Sequence, residues 1–512
     1  MDNREISALN IPRIISQFSL AAPAIGQCDA CSPIVFGQYE IPPSDSVNIT
    51  YGHKPVHIHQ PVDSTHWAVL SPFTTTFSVL NESAMNCLQH FSTPKPLENI
   101  PSTWSENWGK ATVQSTLGQM IRLALLVPED YERTEVCTPE EVPNTLAAWL
   151  HITDRCNLRC TYCYLPHKDA EMSIETGKAA IEATFRSAVA HKYREVKFKY
   201  AGGEPLLRLP LVAELHRYAQ RLADQHGLAL DGVVLSNGTL LTRNMLKEIQ
   251  DLKLGLMVSL DHLAIPQEES QRRYSDGRDA SKDAMRAIEL ALDSGVVPSI
   301  SITVSERNIG HVPELLEWVL ARDLPFSLNF YREKSPLFPF RKGRKSCPEL
   351  GLNLEEDKLI TGLLKAYKVI ESNLSRQSLL ASLADLANFA APHLRRCSVG
   401  HSYLVFDCQG RVSKCQMQMD RPVTDIHAED PLAMIRADEI GIQNGTVDEK
   451  EGCQECPWRY WCAGGCPLET YRVTGRYDVK SPNCSIYKAL YPEVLRLEGL
   501  RLLKYAGEVE HR

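Results

Sequence analysis

The chain has 512 residues, 43% of them hydrophobic and 23% charged, with a net charge of -8; this is an ordinary soluble composition, long enough for about two to four domains. The acidic surplus and the absence of any Lys/Arg run exclude a large nucleic-acid footprint, and no stretch reaches the ~18–20 apolar residues of a membrane span. With no basic n-region or apolar h-region at the start, the expected location is cytoplasmic, where 16 cysteines point to metal ligation rather than to disulfides.

In chain order, residues 1–120 read as a small α+β domain. They carry several prolines and few helical periods, and His66 to Leu88 reads as two strands followed by a helix with Asn81 as its cap. From 145 to 345, short apolar runs alternate with amphipathic helical stretches. The runs are Leu146 to Ile152, Val196 to Tyr200, Leu228 to Leu235, Leu254 to Leu260, Ser299 to Val304 and Phe326 to Tyr331. Ser173 can cap a helix with Ile181, Phe185 and Val189 on its apolar face, and Thr242 can cap one carrying Met245, Leu246, Ile249 and Leu252. Six such units predict an α/β fold, a partial (β/α)6 barrel of the TIM type, with active residues at the carboxyl ends of the strands. A charged stretch from Arg332 to Pro348 closes it. A helical connector follows over 346–390, from Leu354 to Leu386, then a cysteine-rich domain over 391–490. A C-terminal helix over 491–512, with Val494, Leu497 and Leu500 on one face, is expected to pack on the barrel.

Directly after the first run stands His151-Ile-Thr-Asp-Arg-Cys156-Asn-Leu-Arg-Cys160-Thr-Tyr-Cys163-Tyr164. Three thiolates on one tight loop can hold three irons of a [4Fe–4S] cube and leave the fourth open to a small molecule. A structural zinc would need a fourth ligand, which is missing here. The C-x3-C-x2-C spacing, with an aromatic before the last cysteine, resembles the signature of the radical S-adenosylmethionine (SAM) superfamily, over roughly Leu146 to Tyr331. The resemblance implies that SAM chelates the open iron and is reductively cleaved to methionine and a 5′-deoxyadenosyl radical. It also implies SAM contacts from Gly202, Gly203 and Glu204 in Ala201-Gly-Gly-Glu-Pro205 after the second strand, where glycines let the backbone come close. Ser236 and Asn237 end the third strand and Ser259 the fourth, in Ser259-Leu-Asp261, and Arg273 lies in Gln271-Arg-Arg-Tyr274; all four look like family positions near SAM.

The tail carries Cys397, twelve residues, Gly410, four residues and Cys415, then Cys453-x2-Cys456-x5-Cys462-x3-Cys466 and, seventeen residues later, Cys484. This order resembles the SPASM extension of the same superfamily, named for the maturation of subtilosin, pyrroloquinoline quinone, anaerobic sulfatases and mycofactocin. A zinc ribbon is the physical alternative, since paired cysteines hold zinc as readily as iron. By resemblance, Cys453, Cys456, Cys462 and Cys484 ligate an outer auxiliary [4Fe–4S] cluster, and Cys397, Cys415 and Cys466 an inner one. Relatives place a further ligand just before the equivalent of Cys397, where this chain has Ala391, Pro392 and His393; Cys408, Cys347 or an open iron are the alternatives. Trp458, Tyr460 and Trp461 are expected to form a dry shell around the clusters. Sulfatase-maturing relatives have an aspartate after the position of Cys415, and Gln416 stands here, so sulfatase maturation is disfavoured. No catalytic base is assigned; Asp407 and Asp420 are near in sequence alone.

His66 to Leu88 resembles the winged-helix module that grips leader peptides by adding them to a sheet edge. Cys28 and Cys31 lack a second pair and read as incidental. The expected protein is thus a radical SAM maturase with three [4Fe–4S] clusters, acting on a peptide or protein and served by an electron donor such as flavodoxin or ferredoxin. A radical dehydrogenase of a small molecule such as a sugar and a zinc-bearing binding protein are the other readings.

Overall fold

The computed structural model describes residues 11–18, 49–131, 144–332, 352 and 355–509, apart from 55, 56, 166, 264, 267 and 386. Cys28, Cys31 and Cys347, and the closing stretch after Arg332, lie outside the described residues.

The N-terminal part holds two antiparallel sheets. In the first, β1 (Ile14–Phe18), β3 (Ile58–Pro61), β4 (His66–Leu70) and β5 (Thr76–Asn81) lie in the order β1-β5-β4-β3. In the second, β2 (Thr50–Gly52), β6 (Lys95–Pro96) and β7 (Val127–Pro128) lie in the order β6-β2-β7. Asn81 caps the helix Glu82–His90 through the Ala84 N–H, as its sequence position predicts. Alternation along the strands gives the first sheet two apolar faces. Val69 and Leu80 pack with Met85, Leu88, Val113 and Leu117 of the following helices. Ala68, Leu70, Phe77 and Val79 belong to the core that also contains Leu495 and Leu502 of the C-terminal helix.

The barrel follows as β8 (Thr145–Thr153), β9 (Glu195–Gly202), β10 (Ala229–Ser236), β11 (Gly255–Ser259), β12 (Ser299–Val304) and β13 (Phe326–Phe330). All five neighbouring pairs are parallel and in chain order. The crossovers carry the helices Ile174–Ala190, Leu209–His226, Arg243–Asp251, Ser281–Asp293 and Val312–Leu320, and Glu356–Ser372 follows the sixth strand, which makes the six β/α units of a partial barrel. The pleat divides the strand residues. Leu146, Ala148, Leu150 and Ile152 of β8, with Val196, Phe198 and Tyr200 of β9, pack in the main core, while Ala147, Trp149 and Ala201 face another cluster. Lys197 and Lys199 share that second face of β9, Lys197 paired with Asp231 at 2.7 Å and Lys199 over the Tyr403 ring at 5.8 Å.

The cysteine-rich tail is hydrogen-bonded into the same sheet. β14 (Tyr403–Phe406) runs parallel beside β8, and β15 (Arg411–Ser413) and β16 (Thr424–Asp425) continue antiparallel, giving nine strands ordered β13-β12-β11-β10-β9-β8-β14-β15-β16.

Three expectations change. Val189 is 48% exposed although Ile181 and Phe185 are buried; steps of four residues advance about 40° past a full turn each, so the third member has rotated off the buried stripe. The connector helix spans Glu356–Ser372 and stops well before residue 386, because Ser375, Ser378 and Asn373 offer side-chain bonds that compete with the helix. Ser375 donates to Asp323 at 2.8 Å and Ser378 to Glu498 at 3.0 Å. The C-terminal helix spans Cys484–Val509 and packs against the connector helix and all four strands of the first N-terminal sheet, not on the barrel alone. Gly499 sits so near Val62 that a Cβ would lie 2.4 Å from its Cγ2, so the two ends of the chain are joined tightly.

Candidate functional site

Cys156, Cys160 and Cys163 follow β8 on a loop pinned from two sides. The Arg159 N–H donates to the Arg273 carbonyl at 2.6 Å and the Thr161 N–H to the Gln271 carbonyl at 2.9 Å. Asn157 donates to Thr239 Oγ1 at 2.8 Å and accepts from Asn237 Nδ2 at 2.9 Å. The three thiols lie within electrostatic reach of one another, and the Cys156 sulfur accepts the Leu158 N–H at 3.3 Å. Burial pushes the Cys160 thiol up to about 12, so thiolates form here only with a cation bound. Tyr162 donates to Asp261 Oδ2 at 2.7 Å, Arg272 donates to the Tyr162 hydroxyl, and Asp261 Oδ1 accepts the Thr303 N–H at 2.8 Å. Asp261, fully buried, thereby ties the cysteine loop to the ends of β11 and β12.

The glycine pair serves this loop directly. The Gly203 N–H donates to the Thr153 carbonyl at 2.7 Å and the Glu204 N–H to the Arg155 carbonyl at 2.9 Å. A Cβ on Gly203 would lie 2.2 Å from the Arg155 oxygen, and one on Gly202, at φ +136°, 2.4 Å from the Thr153 oxygen. Only glycine lets the end of β9 come so close to the backbone that leads from β8 to Cys156. Glu204 is fully buried and accepts from Ser236 Oγ at 2.8 Å, from the Asn237 N–H at 2.8 Å and from the Leu206 N–H at 3.0 Å. Its carboxylate and the Ser236 hydroxyl are therefore engaged with each other as a brace between β9 and β10. Ser259 stands half-buried at the end of β11. Arg273 is turned away: its guanidinium donates to the Ser270 and Glu268 carbonyls, both at 2.7 Å. The neighbouring Arg272 is the arginine beside Cys160 and Cys156, and the pattern Arg-Arg gives no means of telling which of the two turns inward.

In the tail, Cys453, Cys456, Cys462 and Cys484 are mutual electrostatic neighbours. Cys397, Cys415 and Cys466 gather elsewhere, packed with Trp149, Ala201, Tyr403 and Leu468. Asn444 donates to the Cys397 carbonyl at 2.7 Å, with the Cys397 sulfur 3.7 Å away. Cys408 is not among them. Its thiol donates to the His151 carbonyl at 3.1 Å, next to the pair His151 Nε2–Asp154 Oδ1 at 2.8 Å, so it faces the root of the first cysteine loop rather than the inner tail set. Asp407 is locked by Arg411 at 2.6 Å and by turn N–H groups, and Asp420 is exposed. Trp461 is buried, while Trp458 is half-buried against Phe389 and Tyr491.

None of the twelve cysteines among the described residues is in a disulfide, and buried cations stand among the tail thiols. Arg396 is 0% exposed, with Nε and Nη2 lacking a hydrogen-bond partner among the described residues, beside Tyr491, Tyr487, Cys462 and Asp385. Arg472 lies beside Cys466 and Cys415. Asp385 near Arg396 and Glu469 near Arg472 supply part of the opposite charge, and cysteine thiolates ligating a [4Fe–4S] cluster would add to it on the sulfur side. The donors and their surroundings fit iron–sulfur clusters.

Residues 150–319 match the Radical SAM superfamily. The chain carries a radical SAM domain. The cofactors of such a domain are SAM and a [4Fe–4S] cluster. A serine-type anaerobic sulfatase-maturating enzyme of Klebsiella aerogenes is 25% identical over 334 residues, 61% of this chain and 77% of that enzyme. Fe-coproporphyrin III synthase of Methanosarcina barkeri is 29% identical over 221 residues, 42% of this chain and 49% of that enzyme. Among solved structures, anSMEcpe with bound AdoMet and Cp18Cys peptide superposes with a TM-score of 0.53 at 19% identity, covering 69% of this chain and 98% of that one. The radical SAM barrel and its cysteine-rich extension thus recur in a known fold, and no helix of the described residues is long and apolar enough to cross a membrane.

Proposed function

We propose that this radical SAM enzyme is a maturase that modifies a ribosomally made peptide or protein, using one SAM-binding and two auxiliary [4Fe–4S] clusters. Cys156, Cys160 and Cys163 would hold the first cluster. Cys453, Cys456, Cys462 and Cys484 would hold the outer auxiliary cluster, and Cys397, Cys415 and Cys466 the inner one. Bound with SAM, the first cluster would supply the reductive chemistry by which a radical SAM enzyme takes a hydrogen atom from its substrate. The main-chain groups of Gly202 and Gly203, with Asn237 and Ser259, line the strand ends where SAM would lie; Glu204 and Ser236 hold that wall in place.

One observation carries the reading: Trp149 and Ala201, on the inner face of the barrel, share a packed layer with Cys397 and Cys415. A substrate between the two cysteine groups would be enclosed by both, which suits a side chain presented on a peptide. The extent of the likeness supports it too. The sulfatase-maturating enzyme is matched over 77% of its length, whereas a GTP 3′,8-cyclase of Nitrobacter winogradskyi is matched over 50%. Gln416 after Cys415 argues for a side chain other than that of a sulfatase.

The first N-terminal sheet would grip the leader of the substrate along the edge strand β3, whose outer side is unpaired within the described residues. The test is an anaerobic reaction of the full chain with SAM, a reductant such as flavodoxin or ferredoxin, and a panel of short ribosomally made peptides, with sugars as the comparison. A loss of two hydrogens, a deuterium gained from D2O or a backbone fragment would identify cross-linking, epimerisation or fragmentation. Turnover of a sugar and of no peptide would overturn the proposal.

A further inference from the structure

Lys450 lies three residues before Cys453, just after the short turn of helix Val447–Glu449, and is 1% exposed. Its ammonium donates to the Ala463 carbonyl at 3.0 Å. The loop around it is shaped to admit it. Ala463 has φ 46°, and Gly464, at φ +75°, would place a Cβ 2.5 Å from Lys450 Cδ and 2.9 Å from Nζ. Among the described residues Lys450 has no carboxylate partner. Its charged neighbours are instead thiols from both tail sets: Cys453 and Cys462 of one, Cys397 and Cys466 of the other. The other buried cations here are one-sided, Arg396 beside Cys462 and Arg472 beside Cys466 and Cys415.

A lysine taken out of water without a counter-charge is strongly disfavoured. The surroundings of Lys450 make sense when the sulfurs on both sides carry negative charge. An ammonium is a compact charge with three donors; one is used on Ala463, next to Cys462, and two remain. We propose that Lys450 is a positioning charge shared by the two auxiliary clusters, favouring the reduced form of each and setting their potentials together. This rests on the reading that the seven tail cysteines hold two clusters. The added electron of a reduced cluster is stabilised by a nearby positive charge, and the interaction is little screened in a dry interior.

The experiment uses the full chain, anaerobically reconstituted, with iron and sulfide analysis and potentiometric titration followed by electron paramagnetic resonance. Lys450→Met and Lys450→Gln should lower the midpoint potentials of both auxiliary clusters together and leave that of the SAM-binding cluster unchanged, while Lys450→Arg keeps all three close to the parent. Loss of auxiliary iron from both neutral variants, with full iron in Lys450→Arg, would carry the same conclusion, that both sets require the charge. Loss from all three variants alike, unchanged potentials in the neutral variants, or a shift of one auxiliary cluster alone would overturn the proposal. Wild-type protein with iron for the first cluster only would refute the two-cluster reading instead, and iron analysis before any titration separates the two failures.

Discussion

Gly203→Ala tests the link between the glycine loop and the cysteine loop. The new methyl would lie 2.2 Å from the Arg155 carbonyl oxygen and 2.9 Å from that of Asp154, where ordinary contact begins near 3.4 Å. Both obstacles are backbone, so no side chain can swing aside, and the strand leading to Cys156 must retreat by about 1 Å at an overpacking cost of about 1–3 kcal/mol. That displacement passes to Cys156, one residue beyond Arg155, and breaks the bond from the Glu204 N–H. A shift of about 1 Å between reacting groups can lower a rate by ~10²-fold. The assay is anaerobic production of 5′-deoxyadenosine and methionine from SAM without substrate, with iron counted in parallel. SAM cleavage should fall by ~10²-fold while the tail retains its iron. A variant that cleaves SAM at the parent rate would refute the claim that Gly203 is required by its proximity to the cysteine loop.

Reconstituted wild-type protein should bind about 12 irons, and replacing Cys156, Cys160 and Cys163 with alanine should remove about four of them and all SAM cleavage. Because its thiol faces His151, Cys408→Ser should leave auxiliary iron and its resonance signal unchanged; loss of that signal would return Cys408 to the ligand set. Asp385→Asn weakens a buried pair with Arg332, at 2.8 and 2.7 Å, and a bond from Tyr487 at 3.0 Å; stability by urea titration should drop by about 3 kcal/mol. Burial lowers the imidazole of His57 to about 4 from 6.5, so between those values the unfolded chain binds the extra proton. The resulting stability, about 3 kcal/mol, is present above pH 6.5 and lost as pH falls towards 4, and His57→Gln should lessen the pH dependence of the urea midpoint between pH 7 and pH 5, with His59, His216, His393 and His401 keeping the rest.

Local pattern made much of this legible. The six apolar runs became β8 to β13, Ser173, Thr242 and Asn81 cap their helices as their positions predict, and the tail thiols that the resemblance sorts into two sets lie in two groups. Partners distant in sequence were not legible. Spacing along a helix finds an apolar stripe but not what covers it, so the C-terminal helix was assigned to the barrel rather than to the N-terminal sheet. A buried cation has no marker in sequence, because its burial depends on thiols contributed from several loops; Lys450, Arg396 and Arg472 look like surface residues until the tail is folded. Glu204 and Asp261 are held by groups far along the chain, Ser236 and Asn237 for the first and Tyr162 and Thr303 for the second, which no local pattern shows.

The junction of the N-terminal sheet with the C-terminal helix has a consequence for synthesis. β5 ends at Asn81 and the helix that covers its face begins at Cys484, so about 400 residues must emerge between the sheet and its cover. At ~5–20 residues per second that is a delay of tens of seconds, during which Leu70, Phe77 and Val79 have no partner from the end of the chain. A nascent chain of this protein should therefore be held by chaperones until translation is almost complete.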